Sequence, residues 1–546
     1  MKYIAIIILF LIFYCPSFAQ DRPRIVVGIV VDQMRMEYLY RFEKKFSDGG
    51  FKRLINDGFL LKNMNYNYVP TYTGPGHASI YTGSTPSIHG IIGNSWYDKK
   101  LGKNVNCVED GKFKAIGNDG ANGDVSPMRL LPTTVTDELK LSFQRHSKVV
   151  GISMKDRAAV LPAGHLADGA YWYDQSSGKF ITSTFYKSEP PSWLNKFNDR
   201  KLAENFLTKE WSTLLPINQY VESTADDKPY ESSLKGKGTK PVFPYRLKDM
   251  GAENQKYNSV LSTPFGNEML LELAKVTIEG EGLGEDDIPD FLSVSFSSPD
   301  IVGHAMGPRS IELEDVYLRL DQNVAELLKF LDNKFGDRYS VFLTADHGVA
   351  DVPDYSLENN IPAGIISEPE IEANLKQYLK EYYPDKSIID KVINNQIYLN
   401  HDAFVGDPRK TGLELIVVSE LISKYLLAVD GIGNVVSQAT LRNADYGVLG
   451  WKGDVYRGYN WKRSGDIAFI LEPQWIESSY HTGTTHGSGY RYDTNVPAIF
   501  FGFGFNKGSS VAHHLITDIA PTISVLLKIN FPSGCTGQPL SEVLKN

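Results

Sequence analysis

Cysteine is scarce in this chain, three in 546 residues. One of them, Cys15, lies in an apolar leader, so past it only Cys107 and Cys535 remain and at most one bridge can form. That excludes a disulfide-stapled scaffold and leaves stability to core packing. An excess of positive charge is also missing: 56 Lys and Arg stand against 65 Asp and Glu, giving a net charge of −9 and a pI near 5.7, with no basic run. This argues against a nucleic acid polymer as partner, because such binders work by neutralising phosphates. Internal repeats and low-complexity tracts are absent. No long hydrophobic run follows the leader, so the mature chain is expected to be soluble, with no stable membrane insertion. No pattern specifies an oligomeric state. What is present, 42% hydrophobic and 22% charged residues, is the composition of an ordinary globular protein, long enough for a large core with insertions.

The leader reads MKYIAIIILFLIFYCPSFAQ, with Lys2, an apolar run from Tyr3 to Tyr14, then Pro16 and small residues at Ser17 and Ala19. This predicts a secretory signal over 1–19, cut after Ala19, and a periplasmic or secreted protein. The apolar run, about a dozen residues, is too short for a bilayer that needs roughly 20. Ile12, Phe13 and Tyr14 are too bulky for lipoprotein processing at Cys15.

Arg24 to Val31 is a continuous apolar run ending in Asp32, the pattern of a strand buried on both faces whose C-terminal edge opens on a site. Similar runs at Val149–Met154, Phe291–Phe296, Ser340–Leu343 and Val496–Phe501 predict an α/β fold with a mostly parallel central sheet flanked by helices. The clearest helix follows Ser310 as N-cap, with Glu312 and Glu314 in its first turn and Ile311, Leu313, Val316, Leu320, Val324, Leu327 and Leu331 on one stripe. Asp48–Leu61 and Asp518–Leu527 read as further covering helices. Residues 188–256, rich in Pro, Lys, Ser and Tyr with weak periodicity, read as a surface excursion of loops. Residues 353–480 carry their own signals, helical over Glu370–Tyr383 and Leu413–Val429 and extended over Gln396–Leu399. They read as a cap subdomain inserted into a core that spans 20–352 and resumes over 481–546.

Four short stretches carry the chemistry: VVDQMR, SSPDIVGH, TADHG and TTHGS. Asp32, Asp300, His304, Asp346, His347 and His486 combine carboxylates with imidazoles, a hard and borderline donor mix that suits paired Zn²⁺ better than Ca²⁺ or an iron–sulfur centre. Asp32 and the Asp346/His347 pair follow strands, so rigid elements can aim them at one point. Asp300 and His304 lie four apart, a spacing that one helical turn brings onto a common face. Each residue alone would read as a capped turn or a satisfied core histidine; the six together do not.

A nucleophilic hydroxyl belongs at the start of a helix, where backbone N–H groups accept phosphate charge. VPTYTGPGHASIYTG offers Thr71 and Thr73, and Thr73 directly precedes the Gly/Pro turn. Lys155 and Arg157 in MKDRAAV are typed as donors to phosphoryl oxygens, a point charge and a planar fork, and Asn94 in IIGNSWYD adds an amide.

In this order, VVDQMR, VPTYTGPGHASIYTG, IHGIIGNSWYD, KDRAAVLPAGH, SSPDIVGH, TADHG, NWKRSGDI and TTHGS resemble the alkaline phosphatase superfamily, closest to its secreted, threonine-nucleophile monoesterases of the PafA type, over nearly the whole mature chain. The resemblance implies hydrolysis of small-molecule phosphate monoesters with two Zn²⁺. It implies that Asp300, His304 and His486 hold one ion, and that Asp32, Asp346, His347 and Thr73 hold the other. Asn94, Lys155 and Arg157 then match the family's phosphoryl-oxygen contacts. His481 competes with His486, but TTHG fits the last-ligand motif better than YHTG. A sulfatase would need an oxidisable Cys or Ser in its motif, and Thr73 with no nearby Arg departs from that. A phosphodiesterase generally lacks the cationic pair that grips a dianion, and a serine-type enzyme with a third Mg²⁺ conflicts with Lys155. A non-catalytic surface binding protein on this fold is the reading from another class. His77, His89, His165, His401, His513 and His514 are read as structural or surface residues, with His165 as a support of the Lys155/Arg157 loop.

Overall fold

The computed structural model describes residues 22–118, 123–234, 239–250, 257–404, 408–442 and 445–545. The expected signal segment 1–19 lies outside them.

Ile25–Val31 is apolar or glycine at every position and buried along its whole length. A strand of that kind must be covered on both sheet faces and flanked by strands on both edges, and it is. Asp290–Phe296 lies on one side and Tyr339–Thr344 on the other, both parallel to it, with Val31 opposite Phe296 and Val30 opposite Thr344. Val149–Ser153 and then Gly169–Asp174 continue the parallel run. The flanks are antiparallel: Asn495–Gly502 against Tyr339–Thr344, Phe59–Asn65 beyond it, and Lys179–Ser183 on the far side. The expected α/β architecture, a mostly parallel sheet flanked by helices, is borne out. Because the central strands run in register, the residues that follow Val31, Phe296 and Thr344 emerge together at one sheet edge.

The Ser310-capped helix runs over Ile311–Phe335, and the Ser310 hydroxyl accepts the Leu313 N–H at 3.2 Å. Its apolar stripe joins the main core with the central strands. The expected helix over 48–61 is shorter, Phe51–Asp57. Gly58 ends it, and Phe59–Asn65 is a strand instead. A Cβ on Gly58 would lie 2.5 Å from the Phe500 carbonyl, so only glycine lets the chain turn there against the neighbouring strand.

Within 188–256 the chain is less superficial than its composition implies. It forms the helices Ser192–Asn198 and Leu202–Leu207, and it buries Trp211, Tyr220 and Tyr245. The reason is Asp315, fully buried on the long helix: Trp211 Nε1–H donates to its Oδ2 at 2.7 Å and the Tyr220 hydroxyl donates to its Oδ1. Aromatics with polar tips usually bury their rings where such an acceptor waits.

Between His347 and His486 the chain builds a separate antiparallel sheet, in the order Ile389–Ile393, Gln396–Leu399, Ile467–Leu471, Ile432–Ser437. The helices Glu368–Lys380 and Pro408–Leu426 accompany it, and Ile371, Leu375, Ile397, Val418, Ile422 and Phe469 form a core of its own. Cys107 and Cys535 are free thiols.

Candidate active site

Asp32 directly follows its strand, and its N–H donates to the Phe296 carbonyl at 3.0 Å, which pins the strand end. Asp300 and His304 sit on the helix Ser298–Met306, one turn apart. Asp346 and His347 follow Tyr339–Thr344, and His486 comes from the loop after the second sheet. Asp32, Asp300, Asp346, His347 and His486 are all buried, whereas His481 is exposed. Thr73 is the first residue of the helix Thr73–Thr82, and Gly83 closes that helix with φ 63. The structure therefore brings together residues that the sequence scatters over hundreds of positions.

The contacts are close. Asp300 Oδ1 lies 3.1 Å from His304 Nε2 and 3.6 Å from His486 Nε2. His347 Nε2 lies 3.5 Å from Asp32 Oδ1, 3.6 Å from Asp346 Oδ2 and 3.5 Å from Thr73 Oγ1. The His347 and His486 rings stack with centroids 3.5 Å apart.

All three imidazoles present the same nitrogen to the carboxylates. His304 Nδ1 stands 2.8 Å from the Thr484 carbonyl, His347 Nδ1 2.9 Å from that of Gly348 and His486 Nδ1 2.7 Å from that of Thr71. A carbonyl only accepts, so Nδ1 carries the hydrogen and each ring, when neutral, offers an Nε2 lone pair to the cluster. Burial pushes the His347 and His486 imidazoles down, and for His486 the neighbouring His347 and His304 add to the effect, which keeps both neutral. His304 moves up: burial opposes the charge, but Asp300 outweighs it.

The acids differ from one another. Burial pushes Asp32 well above the carboxylate range, with the charges of Asp300 and Asp346 adding. Burial would raise Asp300 too, but His304 and then Lys155 outweigh it and hold Asp300 well below that range. Lys155 Nζ sits between the two, 2.6 Å from Asp32 Oδ2 and 2.6 Å from Asp300 Oδ2. The ammonium thus bridges the two carboxylates.

Asn94 holds the start of the Thr73–Thr82 helix. Asn94 Oδ1 accepts the Gly74 N–H at 2.7 Å, which leaves the amide NH₂ as its outward end. Arg157 stands in the first turn of Asp156–Ala163, for which Lys155 is the N-cap, and its buried Nε has no hydrogen-bond partner.

The donor set fits a borderline divalent ion. Ligand atoms of Asp300, His304 and His486 lie within 4.8 Å of one another, and so do those of Asp32, Asp300 and His347. Asp300 thus belongs to both groups, and Asp346 borders the second through His347. Asp32 Oδ1 and Asp346 Oδ2 are buried without hydrogen-bond partners. Buried carboxylate oxygens without hydrogen-bond partners, set beside Nε2 lone pairs, are a donor set that a divalent cation such as Zn²⁺ satisfies.

His77, expected to be structural or surface, is a buried part of the cluster, and Gln33 joins it without a sequence signal. His77 lies one turn along the helix from Thr73, fully buried, with Nδ1 2.9 Å from the Thr73 carbonyl and 3.3 Å from Asp346 Oδ2. Its spacing of four from Thr73 is the signal the sequence offers. Gln33 touches both Asp346 and Asp300. His165, by contrast, commits its nitrogens to Asp137 Oδ2 at 2.9 Å and the Leu130 carbonyl at 3.0 Å, so it braces the Val135–Ser142 helix and not Lys155 or Arg157.

The sequence model of the family described as type I phosphodiesterase / nucleotide pyrophosphatase matches residues 26–491. Alkaline phosphatase PafA of Elizabethkingia meningoseptica is 44% identical over 530 residues, which is 96% of this chain and 95% of that protein. Alkaline phosphatase PhoV of Synechococcus elongatus is 43% identical over 527 residues, 96% of this chain and 93% of its own. The crystal structure of wild-type PafA matches with a TM-score of 0.90 at 43% identity, covering 96% of this chain and 99% of the other. The chain belongs to the type I phosphodiesterase / nucleotide pyrophosphatase family of the alkaline phosphatase superfamily.

Proposed function

We propose that this protein is an exported, zinc-dependent alkaline phosphatase that hydrolyses small-molecule phosphate monoesters through a phosphothreonine at Thr73. The observation that supports this reading is the Thr73 hydroxyl, at a helix N-terminus and 3.5 Å from His347 Nε2, in a cluster where Asp32 Oδ1 and Asp346 Oδ2 lack hydrogen-bond partners. Asp300, His304 and His486 would hold one Zn²⁺, and Asp32, Asp346 and His347, with Thr73, the other. When bound, such a pair lowers the pKa of the nucleophile and offsets charge on the entering and leaving oxygens.

The chain's own residues supply the rest. Thr73 Oγ1 attacks phosphorus in line, the ester P–O bond breaks and the alcohol departs. Water then attacks the phosphothreonine, the bond from phosphorus to Oγ1 breaks, and Thr73 and phosphate are released. The residues typed to donate to the non-bridging oxygens are Asn94, whose NH₂ is its outward end, Arg157, and Lys155, whose ammonium would have to turn from Asp32 and Asp300 toward the substrate. The inserted segment over 353–480 is read as a cap that screens the alcohol side of the substrate. The apolar leader fits export to the periplasm or beyond, and among the described residues no helix is long and apolar enough to cross a membrane.

The family description favours a second reading, a phosphodiesterase or nucleotide pyrophosphatase. Lys155 and Arg157 weigh against it, because a diester carries one charge fewer for them to grip. A binding protein without catalysis is disfavoured by the filled nucleophile and ligand positions. The test is a panel of phosphate monoesters, diesters and sulfates on zinc-loaded protein, with and without a chelator. Monoester hydrolysis that is lost with chelator and restored by Zn²⁺ is expected. Activity that survives full metal removal, or a preference for diesters, overturns the reading.

A further inference from the structure

Gln33 is buried, 1% exposed, and its backbone stands in the left-handed region with φ 65, a conformation that a non-glycine residue adopts at a cost. The bend it makes directly after Asp32 has two consequences. Its N–H donates to Asp346 Oδ1 at 3.2 Å, and its side-chain Nε2 donates to Asp300 Oδ1 at 2.8 Å. The NH₂ end must face Asp300, since an amide oxygen there would oppose a carboxylate oxygen.

Asp300 Oδ1 is the atom that also faces His304 Nε2 and His486 Nε2. The other end of the amide rests on Gly303, where a Cβ would lie 1.9 Å from Gln33 Oε1. Glycine inside the Asp300–His304 turn therefore makes room for this side chain.

We infer that Gln33 is a positioning residue that aligns the carboxylates of both ion groups, fixing Asp346 through its backbone N–H and aiming Asp300 Oδ1 at His304 and His486 through its amide. The inference rests on the zinc reading above. Donors that orient a ligating carboxylate are worth about 10- to 100-fold in metal affinity, and Gln33 serves two carboxylates from one strained position.

Gln33→Gly separates the side chain from the bend, because glycine keeps the left-handed backbone and the N–H to Asp346 at no steric cost. The zinc-free variant should unfold at the same temperature as the parent or above it. Its zinc affinity, read by competition with a chelating indicator, should fall about 10- to 100-fold. Gln33→Glu, which sets an acceptor against Asp300, should lose at least as much. Gly303→Ala attacks the same contact from the other side and should reproduce the loss. Parental zinc affinity in any of these variants that folds overturns the inference. If the parent itself binds no Zn²⁺, the zinc reading fails as well, and the two failures are told apart by that one control.

Discussion

Gly458 packs its α-carbon against the Val69 carbonyl so closely that a Cβ there would lie 1.6 Å from the oxygen. The helix Trp451–Gly458 of the inserted segment is thereby pressed onto the stretch that leads to Thr73. Arg457 reinforces the joint by donating from Nε to the Asn67 carbonyl at 2.6 Å. Gly458→Ala is expected to cost about 1–3 kcal/mol of stability, because the clash is with backbone and cannot be relieved by a rotamer. Monoester turnover should fall with it. Thermal unfolding and turnover measured on the same sample check both.

Thr73→Ala should lower phosphate release by about 10³-fold or more, the scale of losing a nucleophile, while zinc content stays near that of the parent. Thr73→Ser, which keeps the hydroxyl, should retain much of the rate. Acid quenching during turnover should trap phosphate on the parent chain and none on Thr73→Ala.

Replacing Lys155 and Arg157 together with Ala should cut monoester turnover far more than diester turnover, since the lost charges serve the dianion. Equal losses on both substrates would remove the argument for a monoesterase. The Lys155 change also strips the shared cation from Asp32 and Asp300, so the double variant should be compared with Arg157→Ala alone.

Glu231 and Glu312 lie buried where the 188–256 excursion meets the long helix. Burial pushes Glu231 up to about 9, with the charge of Glu312 adding. Burial also pushes Glu312 up to about 8; the hydrogen bond from the Tyr245 hydroxyl offsets part of this, while Asp226 and Asp315 add to it. Both folded values exceed the ordinary 4.5, so the fold binds these protons more tightly than the unfolded chain does. Their stabilisation is complete below that ordinary value and is lost as pH rises through about 8 and about 9. The urea midpoint should therefore drop between acidic and alkaline buffer. Glu312→Gln should flatten that drop and raise stability on the alkaline side.

The parts of this molecule that sequence discloses are those fixed by pattern. Asp32 and Asp346 are legible because a short apolar run that stops at an acid is the pattern of a buried strand opening on a site, and Asp300/His304 because four residues make one helical turn. The strand Phe59–Asn65 was hidden: FKRLINDGFLLKN keeps its apolar residues at helical intervals across Gly58, and only the neighbouring Phe500 carbonyl decides where the turn falls. The burial of Trp211, Tyr220 and Tyr245 within 188–256 is not legible in that stretch because their acceptors, Asp315 and Glu312, sit far along the chain. Gln33 gave no sign at all, since its role depends on a left-handed bend that its residue type does not announce.

The order in which the chain supplies these groups has a consequence for synthesis. A nascent polypeptide that has already produced Asp32, Thr73, Lys155, Asp300 and His347 still lacks His486, and it lacks the strand Asn495–Gly502 that abuts Tyr339–Thr344. Early release from the ribosome would leave an acid-lined hollow with one imidazole short and an unpaired strand edge. The cluster is therefore complete only once residue 486 has been made.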